Sequence, residues 1–583
     1  MTVQSSALGP PARVGALADL AATTRVEPLD VLVVGGGIVG AGAALDAVSR
    51  GLTVGLLEQR DLASGTSSRS SKLLHGGLRY LQMFDFGLVR EALEERGLLL
   101  TRLAPHLVRP VPFLYPLHRT IERPYVGAGL AIYDALAMLG RYEMGVPRHR
   151  HLFRKQIARI APDLRTDRLS GAVRYYDCQV DDARLVVTLA RTAAHHGALV
   201  ATRTRVTGFL REGSRVVGVR ATDLESGSDL EVRTRAVVNA TGVWTDGVEG
   251  LLGSPPSLDV EASKGIHLVV PRDRIRSECG FVTRTERSVL FVIPWGRHWI
   301  IGTTDTAWDL DLAHPAASRT DIEYLLEHVN KLLTVPLDHD DVEGVYAGLR
   351  PLLAGKAGRG VGSGGEGEAR SATTKVSREH TVVAPAPGLV LIAGGKLTTY
   401  RVMARDAVDL AVRGWDGVAP SHTERVPLLG ADGFLTRSNQ RVALSRRSGL
   451  EVGRIDHLLG RYGGLVDDLM SLVDARPELA EPLPGADDYL CAEVVYAVTH
   501  EAARHLDDVL ARRTRISIET FDRGTVAVTA AADLMAAELG WDRARRDDEV
   551  DHYLRRVEAE RQSQEKLTDQ EADEARVRAP EIV

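Results

Sequence analysis

The 583-residue sequence predicts an α/β fold of three parts: a parallel-sheet domain assembled from separated stretches of chain, a second domain on a mostly antiparallel sheet, and a helical C-terminal domain. Three observations carry this reading. The apolar run from Asp30 to Val34, the closely spaced Gly35, Gly37 and Gly40, a helical stretch and a second apolar run from Leu52 to Leu57 make a strand-turn-helix-strand unit of the parallel kind. GIHLVVP, VLFVIPW and HWIIGTTD are short β-rich runs divided by turns, as in antiparallel sheet. After Trp415, stretches such as AEVVYAVTHEAARHLDDVLARR carry helical spacing.

The first unit is chemically specific. Gly35, Gly36, Gly37, Ile38, Val39 and Gly40 follow the G-x-G-x-x-G pattern. The first glycine permits the tight turn, the second lets backbone approach a pyrophosphate, and the third lets the helix pack on the strand. The helix N-terminus then aims amide hydrogens and its positive dipole end at the phosphates. Glu58, followed by Gln59 and Arg60, closes the second strand, roughly 20 residues past the turn, where such folds hydrogen-bond the adenosine ribose. An acid there disfavours a 2′-phosphate and hence NADP. The unit returns three times: in the alternating runs from Leu199 to Thr222, which contain Val206; in the strand from Val232 to Asn239 followed by Ala240, Thr241 and Gly242; and in the strand from Gly388 to Ala393 followed by Gly394, Gly395, Lys396, Leu397 and Thr398 at a helix start. Residues 28–110, 170–255 and 385–413 are therefore assigned to a discontinuous nucleotide domain, 111–169 and 256–384 to the substrate domain, and 415–555 to the helical domain. Residues 1–27 read as a flexible extension, 354–372 as a mobile Gly-rich loop, and 556–583 as a charged, frayed tail.

Composition narrows the class. A net charge of −6 gives no basic footprint for nucleic acid. Cys178, Cys279 and Cys491 are widely separated with no C-x-x-C, so neither a metal site nor a disulfide framework is indicated, and a reducing compartment fits. No apolar run approaches transmembrane length, and residues 1–27 do not read as a signal peptide.

The runs TSSRSSKLLHGGLRYL, YYDCQVDDARLV, KGIHLVVP, FVIPWGRHWIIGTTD, YAGLRPL and AGGKLTTYR, in this order, resemble the FAD-dependent glycerol-3-phosphate dehydrogenases. The resemblance runs from Asp30 to Val412 and, more loosely, through the helical region. It implies a glutathione-reductase-like FAD-binding domain, a D-amino-acid-oxidase-like substrate domain, and oxidation of sn-glycerol 3-phosphate to dihydroxyacetone phosphate. It further implies electron transfer to membrane quinone by a cytoplasmic protein held peripherally on the inner face of the membrane, with a homodimer as the candidate assembly. A glycerol-3-phosphate oxidase that uses oxygen is the nearest alternative. A non-enzymatic flavin-binding regulator or tRNA-associated flavoprotein is a remote one, and an NAD-linked dehydrogenase has no need of the second Gly-rich loop.

That chemistry requires a phosphate clamp, a base and stabilisation of reduced flavin. Arg79, Arg350 and Arg378 stand in the family's substrate-contact positions, where a planar fork suits a phosphate; Tyr80 and Lys396 can add hydrogen bonds. His267 or His75 is the candidate base, since imidazole titrates near neutrality, whereas Arg350 is better suited to hold the developing alkoxide. Thr66, Ser67, Ser68 and Ser71 offer hydroxyls to the pyrophosphate and ribityl oxygens, and Lys72, Leu73, His75, Gly76 and Gly77 are in reach of the isoalloxazine ring. The helix opened by Gly395 and Lys396 places positive charge near flavin N1. Gly302 to Asp305 either faces the cavity or closes a turn. Asp181, Asp182 and Arg184 look like an internal charge network, and Cys178 is structural. The stretch from Tyr125 to Glu143, flanked by Arg119, Arg123, Arg141, Arg148 and Arg150, fits either an interfacial helix or a core helix with a basic cap.

Overall fold

A computed structural model describes residues 6–77, 85–286, 289–353 and 380–579. The nucleotide-side sheet runs in the order His380–Ala386, Leu389–Gly394, Asp229–Asn239, Leu29–Val34, Val54–Leu57 and Leu199–Ala201. Along this path the strands are parallel except His380–Ala386, which joins one edge antiparallel, and Arg215–Asp223 and Thr204–Glu212 add an antiparallel ladder onto Asp229–Asn239. The central Leu29–Val34 strand is buried at nearly every position because helices cover both faces, which explains its unbroken apolar run. The helix Ile38–Ser49 packs between Asp182–His195 and Tyr400–Ala411, and its small residues Gly40, Ala41, Ala43, Ala44 and Ala47 allow that three-helix contact.

The second sheet runs Thr306–Trp308, Val260–Pro271, His298–Gly302, Val289–Trp295, Gly280–Arg284, Arg109–Leu117, Gly171–Gln179 and Leu73–Leu74. Val260–Pro271 also pairs antiparallel with Gly344–Leu353 along ten residues, so these two strands form its backbone. One face packs on the helix Arg319–Asn330 around Trp299, Phe281 and Leu325; the other turns toward the nucleotide-side domain. Helices between Phe434 and Arg576 complete the chain around cores centred on Leu458 and Tyr496 and on Val494 and Met535.

Three boundaries differ from those expected. Residues 1–27 are not simply an extension: Pro10–Ala21 is a helix whose Leu20 is fully buried and whose Arg13 ion-pairs with Asp223. Residues 556–583 are not a frayed tail. The helices Arg543–Gln564 and Asp569–Arg576 dock on the protein, burying Val557, Ala572 and Ala575. Their charges are matched by partners, Arg556 with Asp507 (2.9 Å) and Asp569 with Lys264 (2.5 Å), so charge density there encodes packing rather than disorder. Finally, Leu73–Leu74 and Gly171–Gln179 belong to the second sheet, not to the nucleotide domain, because they pair with each other and with Arg109–Leu117. Residues 354–372, Arg79, Tyr80 and Arg378 lie outside the described residues.

Candidate active site

The cradle forms where the Leu29–Val34 strand turns into its helix. Gly35 has φ +108°, a conformation that favours glycine, and any side chain there would meet the Ala240 carbonyl. A Cβ on Gly40 would overlap the Gly35 carbonyl oxygen, so this position sets how closely helix and strand pack. Gly36 N–H donates to Glu58 Oε2 at 2.6 Å and Arg60 N–H to Glu58 Oε1 at 2.8 Å. Glu58 is thus buried at the end of its strand with both oxygens oriented, and burial pushes its pKa up. Ser67 Oγ accepts from Ile38 N–H at 3.0 Å, tying the Ser/Thr loop to the helix N-terminus. A cleft of about 380 Å³ runs over this cradle. Its walls include Gly35, Gly37, Ile38, Val39, Glu58, Gln59, Arg60, Thr66 and Ser67, with Val206, Ala240, Thr241 and Gly242 from two returns and Gly395, Lys396 and Leu397 from the third.

A second cleft of about 230 Å³ continues it, sharing Ile38, Thr66, Ser67 and residues 394–397, and reaches the second sheet. Ser71, Leu73, His75, Thr398, His267 and Arg350 line it. His267 and Arg350 arrive on neighbouring strands, His267 paired with Tyr346 and Ser263 with Arg350. The His267 ring stacks on Tyr346 at 4.7 Å, and its Nε2 lies 2.8 Å from Ser71 Oγ. Burial, Arg350 and Lys72 together hold the imidazole pKa well below its usual value, so the ring is neutral at neutral pH. Arg350 donates to Thr303 Oγ1 (3.0 Å) and the Thr304 carbonyl (3.2 Å) and pairs with Asp305 (3.5 Å), so the segment from Gly302 to Asp305 serves the cleft by orienting this guanidinium. Gly265 makes room: a Cβ there would lie 2.5 Å from Arg350 Nη2. His75 is fixed through its backbone, its N–H donating to Thr398 Oγ1 at 3.2 Å.

Comparison with known proteins bears on this geometry. A family described as FAD dependent oxidoreductase matches residues 30–401, and the C-terminal domain of alpha-glycerophosphate oxidase matches residues 421–546. Glycerol-3-phosphate dehydrogenase 2 of Mycobacterium tuberculosis (strain ATCC 25618 / H37Rv) is 53% identical over 579 residues, covering 99% of this chain and 95% of that protein. The chain belongs to the FAD-dependent glycerol-3-phosphate dehydrogenase family. The glycerol-3-phosphate dehydrogenase of Mycobacterium leprae is likewise 53% identical, over 100% of this chain and 96% of its own. The structure of the glycerol-3-phosphate dehydrogenase from Bacillus halodurans complexed with FAD superposes with a TM-score of 0.76 at 28% identity, covering 94% of this chain and 98% of that one.

FAD is the cofactor of this dehydrogenase family member, and the residues fit it: a glycine cradle that any Cβ would fill, an oriented acid at the strand end, and a continuous cleft from there to His267. Gly40→Val is accordingly expected to abolish flavin retention, read as loss of the visible flavin absorbance of the purified protein; a yellow, stoichiometric variant contradicts the packing argument.

Six expected cofactor residues stand back from the clefts. Gly36 and Gly40 shape the turn as described, and Gly77, with φ +72°, shapes the loop. Gly76 abuts Leu93 and Tyr133, which leave no room for a side chain, and its N–H donates to Tyr133 Oη at 2.9 Å. Ser68 offers its carbonyl, not its hydroxyl, to the interior: it accepts from Lys72 Nζ (3.0 Å) and Arg515 Nη1 (3.2 Å). Lys72 does not line either cleft; its fully buried ammonium lies over the Tyr346 ring at 5.1 Å and pairs with Asp182 at 2.8 Å, because a buried ammonium needs a carboxylate to compensate it. Asp182 also accepts from Ser70 N–H (2.9 Å) and Ser70 Oγ (2.7 Å) and pairs with Arg515 at 2.5 Å. Asp181 caps its helix through Arg184 N–H (3.1 Å) and also pairs with Arg515. The charge network therefore anchors the Ser/Thr loop to the C-terminal domain. Asp182→Asn leaves two buried cations undercompensated, a loss of about 3–5 kcal/mol, and is expected to lower the thermal midpoint; an unchanged midpoint removes the network from this role. Cys178 is buried, which pushes its thiol up to about 12, and this fits a structural part.

Tyr346 and Arg515 escaped sequence reasoning. Tyr346 lies four residues before Arg350, on the same face of an alternating strand, a signal that was readable. Arg515 is separated by more than 300 residues from its partners and carries no local signal.

Proposed function

We propose that this protein oxidises sn-glycerol 3-phosphate to dihydroxyacetone phosphate, with FAD as hydride acceptor and a membrane quinone as the final electron acceptor. The observation that carries the reading is the meeting of a neutral, buried His267 and an oriented Arg350 in the cleft that continues the cofactor cradle. Bound FAD supplies the two-electron sink. His267 Nε2, beside Ser71, accepts the hydroxyl proton; Arg350 holds the phosphate or the oxygen that gains charge as the proton leaves. The substrate phosphate carries about −1.5 to −2 charges, which offsets Arg350 and raises the His267 pKa when a proton is to be taken. Arg79, Tyr80, Arg378 and Lys396 are proposed to complete the phosphate grip. Anaerobic titration with glycerol 3-phosphate is expected to bleach the flavin stoichiometrically; persistent oxidised absorbance refutes the assignment.

Quinone use requires access to a bilayer, and among the described residues no helix is long and apolar enough to cross one. The helix Glu122–Met138 favours a surface attachment. Its buried face carries Leu130, Tyr133 and Ala137, yet Ile121, Tyr125, Ala128, Ile132, Ala135 and Leu139 form a second apolar stripe at helical spacing that points outward. Ile121 is 76% exposed and Leu139 78%, beside exposed Arg119, Arg141, Arg148 and Arg150, as suits an anionic membrane surface. Co-flotation with anionic liposomes at low salt is expected and should fall in Ile121→Asp/Leu139→Asp; failure of the parent protein to float ends the membrane reading. Stoichiometric peroxide without added quinone would instead favour the oxidase.

A further inference from the structure

His267 is only 2% exposed, so a charge that it gains has to be met by protein groups rather than by water. Its neighbours meet that charge unevenly. Arg350 and Lys72 are both cations and disfavour an imidazolium. The buried Nδ1 has no hydrogen-bond partner among the described residues, and no carboxylate among them pairs with the ring. The familiar support of a proton-accepting histidine, an acid on its second nitrogen, is therefore missing. Nε2 meets Ser71 Oγ at 2.8 Å, a neutral group.

What the fold places against the ring is a tyrosine. His267 lies between Tyr346 and Gly302 on the two flanking strands. A Cβ on Gly302 would overlap His267 Cδ2, so the imidazole occupies space that a side chain there would fill. The His267 and Tyr346 rings are 4.7 Å apart with planes 12° from parallel, so the imidazole lies on the face of the phenol. That face carries the negative part of the ring quadrupole, which attracts a cation more than it attracts a neutral ring. Tyr346 is itself fixed. Its hydroxyl donates to the Ser70 carbonyl at 3.0 Å, and Asp182 holds Ser70 by its N–H (2.9 Å) and Oγ (2.7 Å). The Lys72 ammonium is 5.1 Å from the same ring, and Asp182 at 2.8 Å balances its charge.

We propose that Tyr346 is a positioning residue of the oxidation that acts through His267: its ring face stabilises the imidazolium formed as His267 takes the substrate hydroxyl proton. The proposal rests on the reading of His267 as the base. In that step the O–H bond breaks with its proton passing to the imidazole, the carbinol C–H bond breaks with its electron pair leaving as hydride to FAD, and the C–O bond becomes C=O. Charge appears on the imidazole only as the proton moves. The Tyr346 face therefore favours the transition state over the bound substrate, and bears on rate rather than on binding.

Anaerobic single-turnover bleaching of the FAD-loaded protein by glycerol 3-phosphate tests this in a double-mutant cycle. Tyr346→Leu keeps an apolar side chain but no aromatic face. It should slow flavin reduction about 3- to 30-fold, with the half-saturating substrate concentration unchanged. Tyr346→Phe keeps the face and should recover most of that loss. In a His267→Asn background, Tyr346→Leu should cost nothing further, because no imidazolium forms there. Flavin absorbance reports that each variant is folded. A parental rate in Tyr346→Leu overturns the inference. Equal slowing by Tyr346→Leu in both backgrounds also overturns it, by making the residue merely structural. A Tyr346→Phe rate as low as that of Tyr346→Leu overturns it by placing the effect on the hydroxyl. These three outcomes leave His267 standing as the base; a parental rate in His267→Asn alone ends the base reading and takes the inference with it.

Discussion

Arg350→Gln is expected to lower kcat/KM for glycerol 3-phosphate by about 10²–10³-fold, equivalent to roughly 3–4 kcal/mol, the cost of removing one preorganised donor from a water-poor site. The guanidinium is preorganised before substrate arrives. Thr303 Oγ1 at 3.0 Å and the Thr304 carbonyl at 3.2 Å fix its plane, Asp305 balances its charge, and Gly265 leaves space beside it. Glutamine keeps a hydrogen bond but loses the charge and the fork. Where in the reaction Arg350 acts is read from the split. If it grips the phosphate in ground and transition states alike, KM rises and kcat holds; if it holds the developing alkoxide, kcat falls with kcat/KM. Steady-state kinetics with an artificial acceptor decide between them, and a loss below about threefold would remove Arg350 from the substrate site altogether.

The second large effect falls on the proton. His267→Asn is expected to slow flavin reduction by about 10²–10⁴-fold, the usual reach of a positioned base, with little change in flavin content. The ring is held between Tyr346 and Ser71, and asparagine roughly matches its bulk near the backbone. The pH dependence follows from the depressed pKa. Only the neutral imidazole accepts a proton, and the neutral form prevails above the pKa; because burial, Arg350 and Lys72 hold that pKa well below 6.5, free-enzyme activity stays flat through neutrality and His267 fails only at lower pH. An acid limb near pH ~6 in kcat/KM belongs to the substrate phosphate and persists in the variant. Anaerobic stopped-flow measurement of flavin bleaching checks both points. A parental rate in His267→Asn would pass the base role to His75, which shares the cleft, and a limb above 6.5 that vanished in the variant would contradict a neutral resting ring.

Gly35, Gly37 and Gly40, the Glu58 position, the apolar strands and the helix opened at Gly395 were legible in the sequence because each depends on neighbours a few residues away: a turn that needs positive φ, a periodicity, a strand end. The order of motifs likewise marked the family before any coordinates. The tertiary structure alone decided which of these residues share a cavity. It turned Lys72 away from the cleft to Asp182, gave Asp181 and Asp182 their partner in Arg515, and set Tyr346 against His267. It also ordered Pro10–Ala21 and the charged helices after Asp542, whose composition suggested loose ends. The reason is electrostatic and geometric: a charge reads as solvated until its counter-charge is placed, and for Arg515 and Asp569 that partner lies hundreds of residues away in sequence but within 2.5 Å in space.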